Sequence, residues 1–115
     1  MVDHAVTMDG IFHALAHSAR REMIDKLAGK ERTISELAAP FAMSLAAASK
    51  HVRVLESAGL VDRTVVGRQH VCRLVPQPLQ QATVWLNYYD RFWTDRLDGL
   101  DTFLRSSPDS TEGPA

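Results

Sequence analysis

Ser44 to Gly59 reads as a helix with both ends marked in the sequence. Ser44 is a helix-starting residue, because its short hydroxyl accepts from a backbone N–H of the first turn. Gly59 is the residue that best tolerates the left-handed backbone just past a helix end. Between them, Val52, Leu55 and Ala58 fall on one face. From Leu60 the period changes. Val61, Arg63 and Val65 alternate with Leu60, Asp62 and Thr64; Gly67-Arg68-Gln69 reads as a turn; His70-Val71-Cys72-Arg73-Leu74 resumes the alternation. That pattern predicts a β-hairpin. A capped helix running straight into a hairpin constrains the fold most, because it fixes two element types and the point where one gives way to the other.

The upstream segments are helical. Thr7 or Asp9 is placed to cap a first helix with Ile11, Phe12, Leu15 and Ala16 as its apolar stripe. Ser18 is expected to cap a second, with Met23, Ile24 and Leu27 inward and Gly29 as its stop. Lys30-Glu31-Arg32 reads as a polar turn. Thr33 or Ser35 opens a short third helix through Ile34, Leu37, Ala38 and Phe41, distorted or ended by Pro40. Beyond the hairpin, Pro76 and Pro78 break the strand and are tolerated in a helix's first turn. Leu79 to Leu104 then carries a continuous helical pattern, and 106–115 is expected to be a disordered tail rich in Ser, Pro, Asp and Gly. At 115 residues the chain is expected to form one domain over 1–105. The predicted class is α+β, mainly helical: a winged helix-turn-helix with N- and C-terminal dimerisation helices.

The net charge of −1 conceals an uneven distribution. Residues 1–43 carry −1, residues 74–115 carry −3, and residues 44–73 carry +3 through Lys50, Arg53, Arg63, Arg68 and Arg73 against Glu56 and Asp62. A basic stretch of this kind can face phosphate while the rest limits non-specific binding. In a helix-turn-helix the second helix enters the major groove N-terminus first. Here that end is small, with Leu45 followed by Ala46, Ala47, Ala48 and Ser49, so the backbone can approach base edges closely. The expected DNA contacts are Ser44, Leu45, Ala46, Ser49, Lys50, His51 and Arg53, with Arg68 and Gln69 at the wing tip and His70 beside them as a further candidate. Arg63 and Arg73 have the alternative of pairing with Glu56 or Asp62.

The segments 15–27, Ile34-Ser35-Glu36-Leu37-Ala38, 43–61 and 67–74 resemble the ArsR/SmtB family of repressors, and the resemblance covers roughly residues 7–104. It implies dimeric operator binding, with Ser49 and Lys50 at family DNA-contact positions. The chain departs from the family at Leu45 and Ala46, where polar residues are common. It also departs at both usual metal sites: Ser35–Ala39 contains no cysteine, and the last helix contains no histidine. Soft ions need thiolates. The chain therefore resembles a branch without metal sites, some of whose members are autorepressors or are encoded beside small ligand-binding or coactivator-like proteins. No cofactor is expected.

The aromatic last helix carries two apolar stripes. One is Leu86, Tyr89, Trp93, Leu97 and Leu100, and Trp85, Tyr88 and Phe92 lie beside it. A helix of about 27 residues runs about 40 Å, more than one small winged domain can cover. A two-fold copy is the simplest cover, so Phe12, Leu15 and that first stripe are assigned to a homodimer interface. A cavity for an apolar effector or a protein partner is the rival use of the same aromatics. His13 and His17, four apart, suit a metal by spacing but read more simply as solvated or capping residues. Cys72, the single cysteine, reads as a small structural side chain. No catalytic set stands out, so an enzyme is not expected; a protein-interaction module on the same fold is the rival class. No apolar run approaches a membrane span, and the first residues lack a secretory layout, so a cytoplasmic location is expected.

Overall fold

The computed structural model describes residues 6–106. Nine elements follow in order: α1 (Met8–Leu15), α2 (Ser18–Gly29), β1 (Arg32–Thr33), α3 (Ile34–Ala38), α4 (Leu45–Ser57), β2 (Val61–Val66), β3 (Gln69–Leu74), α5 (Gln77–Tyr88) and α6 (Asp90–Ser106). They fall into two compact units, with the boundary between Ala82 and Thr83. The expected tail lies outside the described residues from position 107 onward, and Ser106 closes α6.

In the first unit α1, α2, α3 and α4 each start on a side-chain cap. Thr7 Oγ1 accepts from the Gly10 N–H at 3.0 Å. For α2 the cap is His17, not Ser18: its Nδ1 accepts from the Ala19 N–H at 3.1 Å. Imidazole is a rare cap, and hydroxyl preference alone selects the serine beside it. Thr33 and Glu36 form a reciprocal box at α3, with the Glu36 N–H donating to Thr33 Oγ1 (3.1 Å) and the Thr33 N–H to Glu36 Oε1 (2.8 Å). Ser44 Oγ accepts from the Ala47 N–H at 3.1 Å and starts α4. That helix ends in a Schellman motif. The Leu60 N–H donates to Leu55 O and the Gly59 N–H to Glu56 O, both at 2.9 Å, with Gly59 at φ +78. Leu55 and Leu60, the apolar pair of that motif, are fully buried.

The core gathers Met23, Ile24 and Leu27 from α2, Ile34 and Leu37 from α3, Val52 and Leu55 from α4, and Val61 and Cys72 from the sheet. The sheet is antiparallel in the order β1-β3-β2. β1 replaces the expected polar turn at Arg32: Arg32 pairs with Cys72 and Thr33 with Val71. Two residues are too short to display an alternation, so the sequence carries no strand signal there. α3 stops at Ala38 rather than reaching Phe41: Ala39 keeps a helical backbone and donates to Ser35 O, but Pro40 has no N–H to continue the ladder.

Among the described residues Arg20 is the one charged residue that is buried, at 8% exposure. Its Nε donates to Ala14 O (2.7 Å) and its Nη2 to His13 O (2.9 Å). A cation here meets the negative end of α1, where the His13 carbonyl also accepts from the Ala16 N–H at 3.1 Å.

The second unit holds the end of α5 and all of α6. The expected single helix from Leu79 to Leu104 is interrupted at Tyr89. The Tyr89 N–H donates to Leu86 O and the Phe92 N–H to Tyr89 O, both at 3.0 Å and both spanning three residues rather than four. No Gly or Pro marks this tightened turn. The aromatic rings cluster around it. Tyr89 lies edge-on to Trp85 and Tyr88 and stacked with Phe92. Arg91 sits over Tyr88 at 5.0 Å and Phe92 at 5.3 Å.

Candidate nucleic-acid interface

α4 divides its residues by periodicity. Ala48, Val52 and Leu55 are fully buried, which turns Leu45, Ala46 and Lys50 outward and leaves Ser49 half-buried at the edge. Leu45 is 55% exposed, unusual for a leucine on a helix that packs well elsewhere. The Ser44 oxygen is committed to its own helix. A hydroxyl carries one donor as well, and that proton remains available to an acceptor.

A groove of about 300 Å³ brings α4 and the wing together. Leu45 and Ser49 line it from α4, Arg68, Gln69 and His70 from the wing, and Thr33, Ile34 and Ser35 from the start of α3. Eight residues separated by up to 37 positions in sequence thus share one surface. Thr33, Ile34 and Ser35 are the members not assigned as contacts from sequence. Only tertiary packing, through β1, carries them there. Arg53, one turn beyond Ser49, is exposed and borders a second groove with His13, Val54 and Ala58.

The five cations of the basic stretch separate into two groups. Arg63 forms a two-pronged pair with Glu56, Nη2 to Oε1 at 2.8 Å and Nε to Oε2 at 3.2 Å. Arg73 reaches Asp62 Oδ2 at 3.3 Å, Thr64 Oγ1 at 3.1 Å and Glu31 Oε2 at 3.8 Å. Lys50, Arg53 and Arg68 have no ion pair among the described residues, and all three are exposed. They are the cations left for an outside anion.

His51 stands apart from the other assigned residues. Its ring is half-buried against α2, 4.5 Å from the His17 ring, and its Nδ1 lies 3.2 Å from Arg20 Nη1. Burial, then the neighbouring His17 and Arg20, lowers its pKa from the ordinary 6.5.

The residues assigned to dimerisation also separate. Leu15 packs on the core of the first unit, and Phe12 on α1 is 36% exposed. In the second unit Tyr89 belongs to the aromatic cluster, while Leu86, Trp93, Leu97 and Leu100 are each more than half exposed.

Cys72 is fully buried, and burial pushes its thiol pKa up, with Arg63 opposing and Glu56 adding to the shift. A protonated, inaccessible thiol is unreactive. His17 holds a helix cap through Nδ1. Among the described residues no three His, Cys, Asp or Glu side chains gather as metal ligands, and no helix is long and apolar enough to cross a membrane.

Known proteins share this architecture. A family model described as a helix-turn-helix domain matches residues 15–64. Over 103 residues the chain is 35% identical to the HTH-type transcriptional regulator Rv2034 of Mycobacterium tuberculosis, spanning 90% of this chain and 94% of that protein. The crystal structure of an ArsR family transcriptional regulator, RHA00566, matches with a TM-score of 0.70 at 35% identity, over 75% of this chain and 89% of that one. The solution structure of the homodimeric winged helix-turn-helix DNA-binding domain Mb0332 from Mycobacterium bovis matches with a TM-score of 0.58 at 27% identity, over 73% and 80%. These relatives are regulators, not enzymes. A capped α4 after a short α3, a hairpin wing against it, and identity over nine-tenths of the chain lead to one conclusion: the chain belongs to the ArsR family of winged helix-turn-helix transcriptional regulators.

Proposed function

We propose that this regulator is a repressor that binds duplex DNA as a homodimer at a pseudo-palindromic operator, occluding polymerase. The observation that carries the reading is the shared groove, where Leu45 and Ser49 of α4 meet Arg68 and Gln69 of the wing. A helix N-terminus of small side chains fits the major groove, and a cationic tip beside it fits the flanking backbone or minor groove. Lys50 and Arg53 add unpaired charge on the same helix. Ser44, Leu45, Ala46, Ser49 and Lys50 are the base- and phosphate-facing set in this reading. His51 acts behind them.

Dimerisation rests on α6. Trp93, Leu97 and Leu100 are 67%, 60% and 53% exposed and follow one another at helical spacing, the pattern of a face that a second copy covers. Relatives in the family include a homodimeric DNA-binding domain. α3 holds no cysteine, so the repressor does not sense metals through a thiolate pair on that helix.

Two measurements test the reading. Fluorescence anisotropy with the DNA upstream of the gene is expected to give saturable binding, and absence of binding at low salt would favour a protein-interaction module instead. Trp93→Asp with Leu97→Asp is expected to convert a dimer to a monomer by light scattering and to weaken operator binding together with it. A double variant that remains dimeric removes α6 from the interface.

A further inference from the structure

We propose that His17, Arg20 and His51 form a proton-sensitive latch, which holds α4 against the α1–α2 corner while His51 is neutral and loosens that hold when His51 gains a proton. Arg20 is the fixed point. Its Nε and Nη2 are engaged by the Ala14 and His13 carbonyls at 2.7 and 2.9 Å, so the guanidinium is tied to the end of α1. Its remaining contact crosses to α4, where Nη1 meets His51 Nδ1 at 3.2 Å. Guanidinium has donors and no acceptor, so Nδ1 of His51 must be the acceptor and its proton must reside on Nε2. His17 has the same arrangement. Its Nδ1 accepts from the Ala19 N–H at 3.1 Å, and its ring tilts against that of His51 with centroids 4.5 Å apart.

Both rings therefore present an Nδ1 lone pair to a donor that cannot be exchanged for an acceptor. Protonating His51 replaces that lone pair with an N–H pointed at another N–H, and sets an imidazolium against a guanidinium. The groups that face His51 are all basic. α2 supplies His17 and Arg20, and α1 contributes the backbone carbonyls that hold Arg20. α4 itself places Lys50 next in sequence, turned outward. No carboxylate pairs with His17, Arg20 or His51 among the described residues, so nothing nearby compensates the added charge.

The sign follows from the direction of the His51 shift. Its folded pKa lies below the ordinary 6.5, chiefly through burial, so the unfolded chain takes up the proton first as pH falls. The latch contributes its full stabilisation above about 6.5, and that contribution is lost as pH falls below this value toward the folded pKa. α4 spans Ser44-capped Leu45 to Ser57, so what His51 loosens is the whole helix that borders the wing groove.

The test uses the full chain without DNA, so it stands apart from the operator reading. Imidazole resonances of the wild-type protein are followed from about pH 8 to about pH 5 together with the amide resonances of Ser49 to Arg53. Thermal midpoints of wild type and His51→Gln are measured over the same range, glutamine retaining a neutral acceptor for Arg20. The expected result has three parts. His51 carries its proton on Nε2 at neutral pH and titrates below 6.5, the α4 amides shift with that titration, and the fall in midpoint on acidification is smaller in His51→Gln than in wild type. His51 titrating at or above its ordinary value overturns the proposal. So do α4 amides that do not follow it, or equal acid sensitivity in the two proteins.

Discussion

Replacing Lys50 and Arg53 together by alanine isolates the electrostatic part of the proposed DNA contact. Both side chains are exposed and neither has an ion pair among the described residues, so their removal leaves no orphaned carboxylate behind. In a dimer the change deletes four cations. Each phosphate neutralised on duplex DNA releases counterions and contributes about 0.9 to the slope of log affinity against log salt. If all four meet phosphate, the slope becomes shallower by about 3.6. Between about 50 mM and about 200 mM salt, that difference amounts to about 150-fold in affinity. The variant should therefore look worst at low salt and approach wild type as salt rises. Anisotropy titrations at four or more salt concentrations read the slope directly. Arg63→Ala is the matched control, since Arg63 is already neutralised by Glu56 at 2.8 Å and its loss should leave the slope nearly unchanged. A double variant whose slope equals that of wild type refutes the phosphate assignment, and a large slope change in Arg63→Ala refutes the division of the cations into paired and unpaired.

Two further outcomes concern the scaffold. Gly59→Ala forces an L-residue to φ +78 and sets its Cβ 2.6 Å from Val6 Cγ2, so a loss of about 2 kcal/mol is expected in urea melts. Val6→Ala in the same chain should recover the clash and not the backbone cost, and a neutral Gly59→Ala would show that the α4 exit is not strained as described. Thr33→Ala should cost about 1 kcal/mol by removing the α3 cap. Its partner Glu36 has a pKa below the ordinary 4.5, held there first by the Thr33 N–H. That carboxylate's stabilisation is present above about pH 4.5 and is lost as pH falls through the folded pKa, so Glu36→Gln should melt with less acid sensitivity than wild type. Equal sensitivity would remove the capping box from the stability of α3.

Much of α4 and the wing was legible because their signals are local. Ser44 and Gly59 bound α4 through backbone chemistry within a few residues, and the hairpin declares itself by alternation. What escaped depends on distant partners. β1 exists because β3 offers Arg32 and Thr33 an edge, and two residues cannot advertise that. The turn at Tyr89 has no Gly or Pro, and the helical stripe continues through it unchanged. Arg20 and His51 are 31 positions apart, so the sequence offers His51, next to Lys50, as an expected DNA contact and carries no sign of its contact with Arg20. The fate of Arg63 and Arg73 was half legible. Their acidic partners are visible in sequence, and only geometry says that the pairs form.

The wing is not uniform along its length. At its root β3 is flanked on both sides, by β1 at Cys72 and Val71 and by β2 throughout. Beyond Val71 only β2 and β3 remain, and there Val65, Val66, Arg68, Gln69 and His70 are all exposed. A two-stranded ribbon without a buried face has little stability of its own. The root is thus stiff and shared with α3, while the tip is compliant. Under the proposed operator reading, such a probe would hold its helix in fixed register on the bases and let Arg68 follow the width of the flanking groove, so operators that differ in their flanks would cost this protein little.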